Sequence, residues 1–153
     1  PGVATPFLTE GAIRLEEEAG QLVVRTASGS FRPSASMDER LLDVCADVVI
    51  RFKAHDRYRS EAGAVRALKR RAPGYMDEEY RAAFSLLNRV YDQAVLAVSN
   101  HRRWPTQPPK RFAEFEDIDM QACLADLERI APNRAQRQKK TILHWVIYWH
   151  YLR

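Results

Sequence analysis

After residue 36 the apolar positions recur at three- and four-residue steps, the period of one helix face. Leu41, Val44, Cys45, Val48, Val49 and Phe52 make a wide stripe, capped by Ser36 or Asp38 and running to about Tyr58. Ser60 is placed to cap a shorter helix from Glu61 to Ala72, with Val65 and Leu68 inward, stopped by Pro73-Gly74. Asp77 then caps the longest run. Tyr80, Ala83, Phe84, Leu87, Val90, Tyr91, Ala94, Val95 and Val98 hold helical spacing to about Ser99. A fourth helix, capped by Asp117 or Asp119, points Met120, Cys123, Leu124, Leu127 and Ile130 inward and ends at Pro132.

The last stretch is read as one helix over 134–152, capped by Asn133. It begins basic, with Arg134, Arg137, Lys139 and Lys140, and ends in Thr-Ile-Leu-His-Trp-Val-Ile-Tyr-Trp-His-Tyr-Leu. Ile142, Trp145, Val146, Trp149 and Leu152 keep the helical step. A segment so nearly apolar all round is a central core helix or docks on a partner. It is too short to span a membrane, which takes about 20 apolar residues.

The first 36 residues read differently. Pro1–Thr9 is an irregular arm. Ile13 and Leu15, then Leu22 and Val24, alternate with polar residues, and Glu18-Ala19-Gly20 between them suits a hairpin turn. An acidic helical turn at Glu16–Glu18 is the rival. Ser28–Ser36 is a Ser/Gly/Pro loop. The expected architecture is all-α in the main: a bundle of about five helices over 37–153 behind an N-terminal arm or small β-hairpin over 1–36. The bundle holds a Pro-rich linker at 100–116, where no helical period survives.

Length and composition suit a globular chain with a real core. The net charge of +4 at pH 7 is mild, and by itself is compatible with nucleic acid, with an acidic protein partner, or with nothing in particular. Its distribution is uneven. Acids dominate the first 48 residues and Glu114–Glu128; bases dominate Arg51–Arg71, His101–Arg111 and Arg134–Lys140. The two cysteines, Cys45 and Cys123, fall on apolar helix faces and read as buried thiols. With no signal-peptide pattern and no transmembrane run, the expected location is cytoplasmic.

Catalytic and metal patterns are sparse. His144 and His150 stand six apart, on different faces of a helix, so they do not form the i, i+4 pair that grips one ion. No Cys-x-x-Cys, Gly-rich phosphate loop or Gly-x-Ser-x-Gly elbow occurs. No metal and no cofactor is expected. Asp43 and Asp47 could share a cation, although a solvated helix face accounts for them.

Arg137 and His144 are seven residues apart, two turns along one face. The segment resembles the Arg…His motif on a late helix of the small helical ribonucleases of the HEPN superfamily. Gln138 stands where that motif has Asn or Asp. The resemblance implies His144 as general acid or base and Arg137 as the phosphate-holding group. A second stretch, from Ala64 to Val98, is similar to ubiquitin-associated-type three-helix modules. Gly74, Tyr75 and Met76 match their turn, but one unbroken helix over Asp77–Ser99 replaces two.

The favoured functional expectation is a small helical protein-interaction or assembly protein without catalytic activity. Its partner, another protein or a second copy, would contact Trp104, Trp145, Trp149 and Tyr151. The first alternative is RNA or DNA binding through Arg66, Lys69, Arg70, Arg102, Arg103, Arg137 and Lys140, which requires them to converge on one face. The second is the ribonuclease reading through Arg137 and His144.

Overall fold

The computed structural model describes the backbone of residues 14–18, 21–26, 29–31, 37–103 and 115–152, and the side chains of 37–103 and 115–150. Trp104, the arm over 1–9 and the middle of the Pro-rich linker lie outside the described residues, as does the side chain of Tyr151. The chain divides into two units, Pro1–Ser36 and Met37–Arg153. In the first, β1 (Arg14–Glu18), β2 (Gln21–Thr26) and β3 (Gly29–Phe31) form an antiparallel sheet in that order. Its register pairs Leu15 with Val24 and Val24 with Phe31.

The second unit is a bundle of five helices: α1 (Glu39–His55), α2 (Glu61–Arg71), α3 (Asp77–Asn100), α4 (Met120–Ile130) and α5 (Gln136–Ile147). Side-chain oxygens fix three of the starts. Asp38 Oδ1 accepts from the Arg40 and Leu41 N–H groups at 2.8 and 3.3 Å. Ser60 Oγ accepts from Gly63 N–H at 3.1 Å, and Asp119 Oδ1 from Ala122 N–H at 3.0 Å. Each satisfies helix-start donors that have no partner inside the helix.

The start of α3 differs from expectation. Asp77 lies inside the first turn, and Met76 occupies the cap position. Methionine offers no good acceptor, so the contact comes from the other direction: Glu79 Oε2 accepts the Met76 N–H at 2.7 Å. Asp77 instead pairs with Lys69 at 2.7 Å, which ties the end of α2 to the start of α3.

α3 is the hub. It packs against α1, α2, α4 and α5, and its 24 residues extend about 36 Å. Ala83, Ala94 and Ala97 are fully buried and let neighbouring helices approach, while Phe84, Leu87, Val90 and Val98 fill the space between them. Cys45 and Cys123 are buried free thiols. Burial pushes both up, Cys45 to about 12 and Cys123 to about 11.

The final helix is shorter and less uniform than the sequence suggests. It begins at Gln136, and Ala135 before it is left-handed, with φ 50°. Asn133 is also left-handed, at φ 54°, and donates its N–H to Glu128 Oε1 at 2.6 Å instead of capping α5. Past Ile147 the backbone widens into a π-helical turn over Tyr148–Leu152. The buried stripe is Ile142, Leu143, Val146 and Ile147. Trp145 and Trp149 sit half-buried at its edge, and His144, Tyr148 and His150 are exposed. α5 is therefore an ordinary amphipathic helix with aromatics along one margin.

The two ends of the Pro-rich linker meet. Arg102 bridges Ile118 in antiparallel fashion, and Asp119 N–H donates to the His101 carbonyl at 3.1 Å. His101 Nε2 lies 2.9 Å from Asp126 Oδ2 on α4, which fastens the end of α3 to that helix. Among the described residues no helix is long and apolar enough to cross a membrane.

Candidate functional site on the α1–α5 face

Carboxylates recur at four-residue steps along the outer side of α1: Glu39, Asp43 and Asp47, followed by Arg51. Four-residue spacing stacks them on one face. α5 crosses beside this ladder and delivers two residues to it. Arg137 makes a bidentate pair with Asp43 and lies 3.6 Å from Glu39. The Gln138 amide donates to Asp43 Oδ1 at 2.7 Å and to Glu39 Oε2 at 3.0 Å. From the other flank, Arg71 at the end of α2 pairs with Asp47, and Arg51 reaches the same oxygen at 2.8 Å. Partial burial would push the Asp47 carboxyl up. The hydrogen bonds from Arg51 and Arg71 outweigh it and hold Asp47 below the usual carboxylate range.

Between the ladder and α5 lies a trough of about 380 Å³. Asp43, Asp47 and Ile50 line it from α1; Gln138, Thr141 and Trp145 line it from α5, and Arg51 and His55 complete it. Two of the residues that line it each hold a polar side-chain atom that is buried without a hydrogen-bond partner: Gln138 Oε1 and Trp145 Nε1. Asn88 Oδ1, on α3, is the other such side-chain atom among the described residues.

An aromatic shelf continues the trough at its Trp145 end. The Trp145 and Trp149 rings are nearly parallel, 13° apart with centroids at 6.0 Å. His55 stands edge-on to Trp149 at 4.7 Å and tilts toward Trp145 at 5.8 Å. Tyr148, half exposed, lies 6.0 Å from Trp145. α1 and α5 thus bring together residues about 90 positions apart in the chain.

No family model, no curated protein and no solved structure matches this chain.

The residues singled out in the sequence separate into groups. Trp145 and Trp149 come together on the shelf. Arg137 and His144 are both exposed on α5, two turns or about 10.5 Å apart along its axis. Their surroundings differ: Arg137 is engaged by two carboxylates, and the His144 ring meets Phe115 edge-on at 6.0 Å. Among the proposed phosphate ligands, Lys69 is held by Asp77, and Arg103 lies 3.7 Å from Asp119. Arg102 is half-buried and engaged at the neck of the linker loop, whereas Arg66, Arg70 and Lys140 are exposed. Lys139, part of the basic run in the sequence, is buried. Among the described residues no three His, Cys, Asp or Glu side chains cluster as metal ligands would. His55 was not marked in the sequence, and Gln138 only as the residue that follows Arg137 in the Arg…His motif. A lone histidine near a helix end and a glutamine among bases do not point to a shared face until α1 and α5 are placed side by side.

Proposed function

We propose that this chain is a non-catalytic protein-interaction module whose partner docks on the α1–α5 face. The observation that carries the reading is the aromatic shelf: Trp145, Tyr148 and Trp149, gathered with His55 and left partly open to solvent. Tryptophan and tyrosine in such positions supply large contact area at small entropic cost, and they dominate protein interfaces. The alternatives have less support. Arg137 and Arg71 are already paired with Asp43 and Asp47, so a phosphate would have to compete with those ion pairs. Arg137 would likewise have to leave Asp43 to hold a scissile phosphate opposite His144.

The test is quantitative affinity purification with the wild-type chain and with Tyr148→Ala and Trp149→Ala. A partner, or a second copy of the chain, retained by the wild type and reduced at least tenfold by either substitution supports the reading. Equal recovery with all three chains, each shown to be folded by circular dichroism, overturns it.

A further inference from the structure

We infer that the outer face of α2 docks an acidic helix of a protein partner, through carboxylates set four residues apart. The bases between residues 51 and 71 fall into two groups. Arg51 and Arg71 are held by Asp47, Lys53 by Asp92 and Lys69 by Asp77. Arg57, Arg59, Arg66 and Arg70 are exposed, and among the described residues their side chains have no ion pair or hydrogen bond. Side chains on a helix meet those three and four positions away. For Arg66 these are Ala62, Gly63, Lys69 and Arg70; for Arg70 they are Arg66 and Ala67, with Pro73-Gly74 past the helix end. None is an acid, and two like charges one turn apart repel. The helix dipole favours Arg70 in the last turn. It does not favour Arg59, which stands just before the N-cap Ser60 at the opposite pole.

Ala62, Arg66 and Arg70 recur at four-residue steps along the solvent side, opposite the buried Ala64 and Leu68. The turn that enters α2 lies beside the same stripe. A Cβ on Gly63, three residues before Arg66 and seven before Arg70, would stand 3.5 Å from Ser60 Oγ and 3.8 Å from Tyr58 Cβ. That places Arg59 at the N-terminal end of the stripe. Lys69 and Arg71 sit about 100° round the helix from Arg70, one on each side, and both are already neutralised. The free positive charge is thus one residue wide, bounded by Asp77 and Asp47.

Width and spacing select the occupant. A guanidinium takes a carboxylate through two parallel hydrogen bonds. Acids four residues apart on a facing helix stand about 6 Å apart along its axis, as Arg66 and Arg70 do. A nucleic acid fits less well. α2 has no aromatic residue on which a base could stack, and phosphates spread to either side would meet Asp47 and Asp77.

The test is fluorescence anisotropy of a labelled acidic helical peptide, four Glu-Ala-Ala-Ala repeats, titrated with the full chain at low salt. Saturable binding is expected. Arg66→Gln with Arg70→Gln should weaken it about fivefold or more, and Arg70→Gln alone about twofold. Arg89→Gln with Arg134→Gln, the same loss of charge at two other exposed arginines, should change it by less than about twofold. A peptide of the same composition with its glutamates in one block should bind more weakly. Absence of saturable binding, equal losses in the two double variants, each shown to be folded by circular dichroism, or equal binding of the two peptides overturns the inference. So does single-stranded RNA of the same charge that binds more tightly than the peptide and loses affinity when Arg66 and Arg70 are replaced. None of these outcomes touches the aromatic shelf, which the affinity purification above tests separately.

Discussion

Lys139 Nζ lies 2.6 Å from Glu128 Oε2, with the lysine side chain 1 % exposed, across the turn that joins α4 to α5. The same ammonium donates to the Ala131 carbonyl at the end of α4. One buried cation thus ties a helix end, a turn and the first turn of α5 together. Lys139→Met keeps the aliphatic stem but removes the donor to a buried carbonyl. It should lower unfolding free energy by about 1–3 kcal/mol, read as a fall in the urea midpoint at unchanged slope.

Glu128 gathers three donors: the Asn133 N–H, the Lys139 ammonium and the Gln136 amide. Together, with the Asn133 contact largest, they hold its carboxyl down to about 2 from an ordinary 4.5. A carboxylate depressed in the folded state contributes stability that is fully present above about pH 4.5 and is lost as pH falls toward 2. Urea titrations at a series of pH values should show this acid slope, and Glu128→Gln should flatten it. An unchanged slope in the variant would mean that other carboxylates carry the acid sensitivity.

Asp56 ends α1 in the left-handed region, at φ 48°, and is exposed. Its charge also sits at the negative end of the helix dipole. Glycine adopts that backbone without the Cβ penalty. Asp56→Gly should raise stability by about 0.5–1 kcal/mol, seen as a higher thermal midpoint. A lower midpoint would show that the aspartate makes a compensating contact.

The engagement of Arg137 by Asp43 and Glu39 bears on the nucleic-acid alternatives. Fluorescence anisotropy with labelled single-stranded RNA should show no binding at moderate salt. Arg137→Ala and His144→Ala should produce no loss of RNA cleavage, because none is expected from the wild type. Tight binding that weakens steeply with salt would restore the phosphate-contact reading. The pair with Asp43 is exposed, so Arg137→Ala should cost stability about 1 kcal/mol or less.

The helices of the bundle were legible because burial imposes a period on the chain. The run from Tyr80 to Val98 could satisfy one buried face only as a helix, and α3 follows it closely. Caps were legible where a short side chain can reach the free N–H groups, as at Ser60 and Asp119. The start of α3 was misplaced by one residue because an acid after a turn reads as a cap, whereas here Glu79 reaches back to Met76. The candidate site was legible only in part. Trp145 and Trp149 declared themselves as large aromatics at helical spacing. Their grouping with His55 depends on how α1 and α5 pack.

Local sequence therefore determined which segments are helical and which face of each is apolar, since both follow from interactions within a few residues. The tertiary structure decided the state of each charge. Arg137, Lys139 and Lys140 look alike in the chain, yet they become a surface ion pair, a buried strut and an exposed cation. Electrostatic roles depend on neighbours brought together over long sequence separations, and only the packing of α1, α4 and α5 supplies those neighbours.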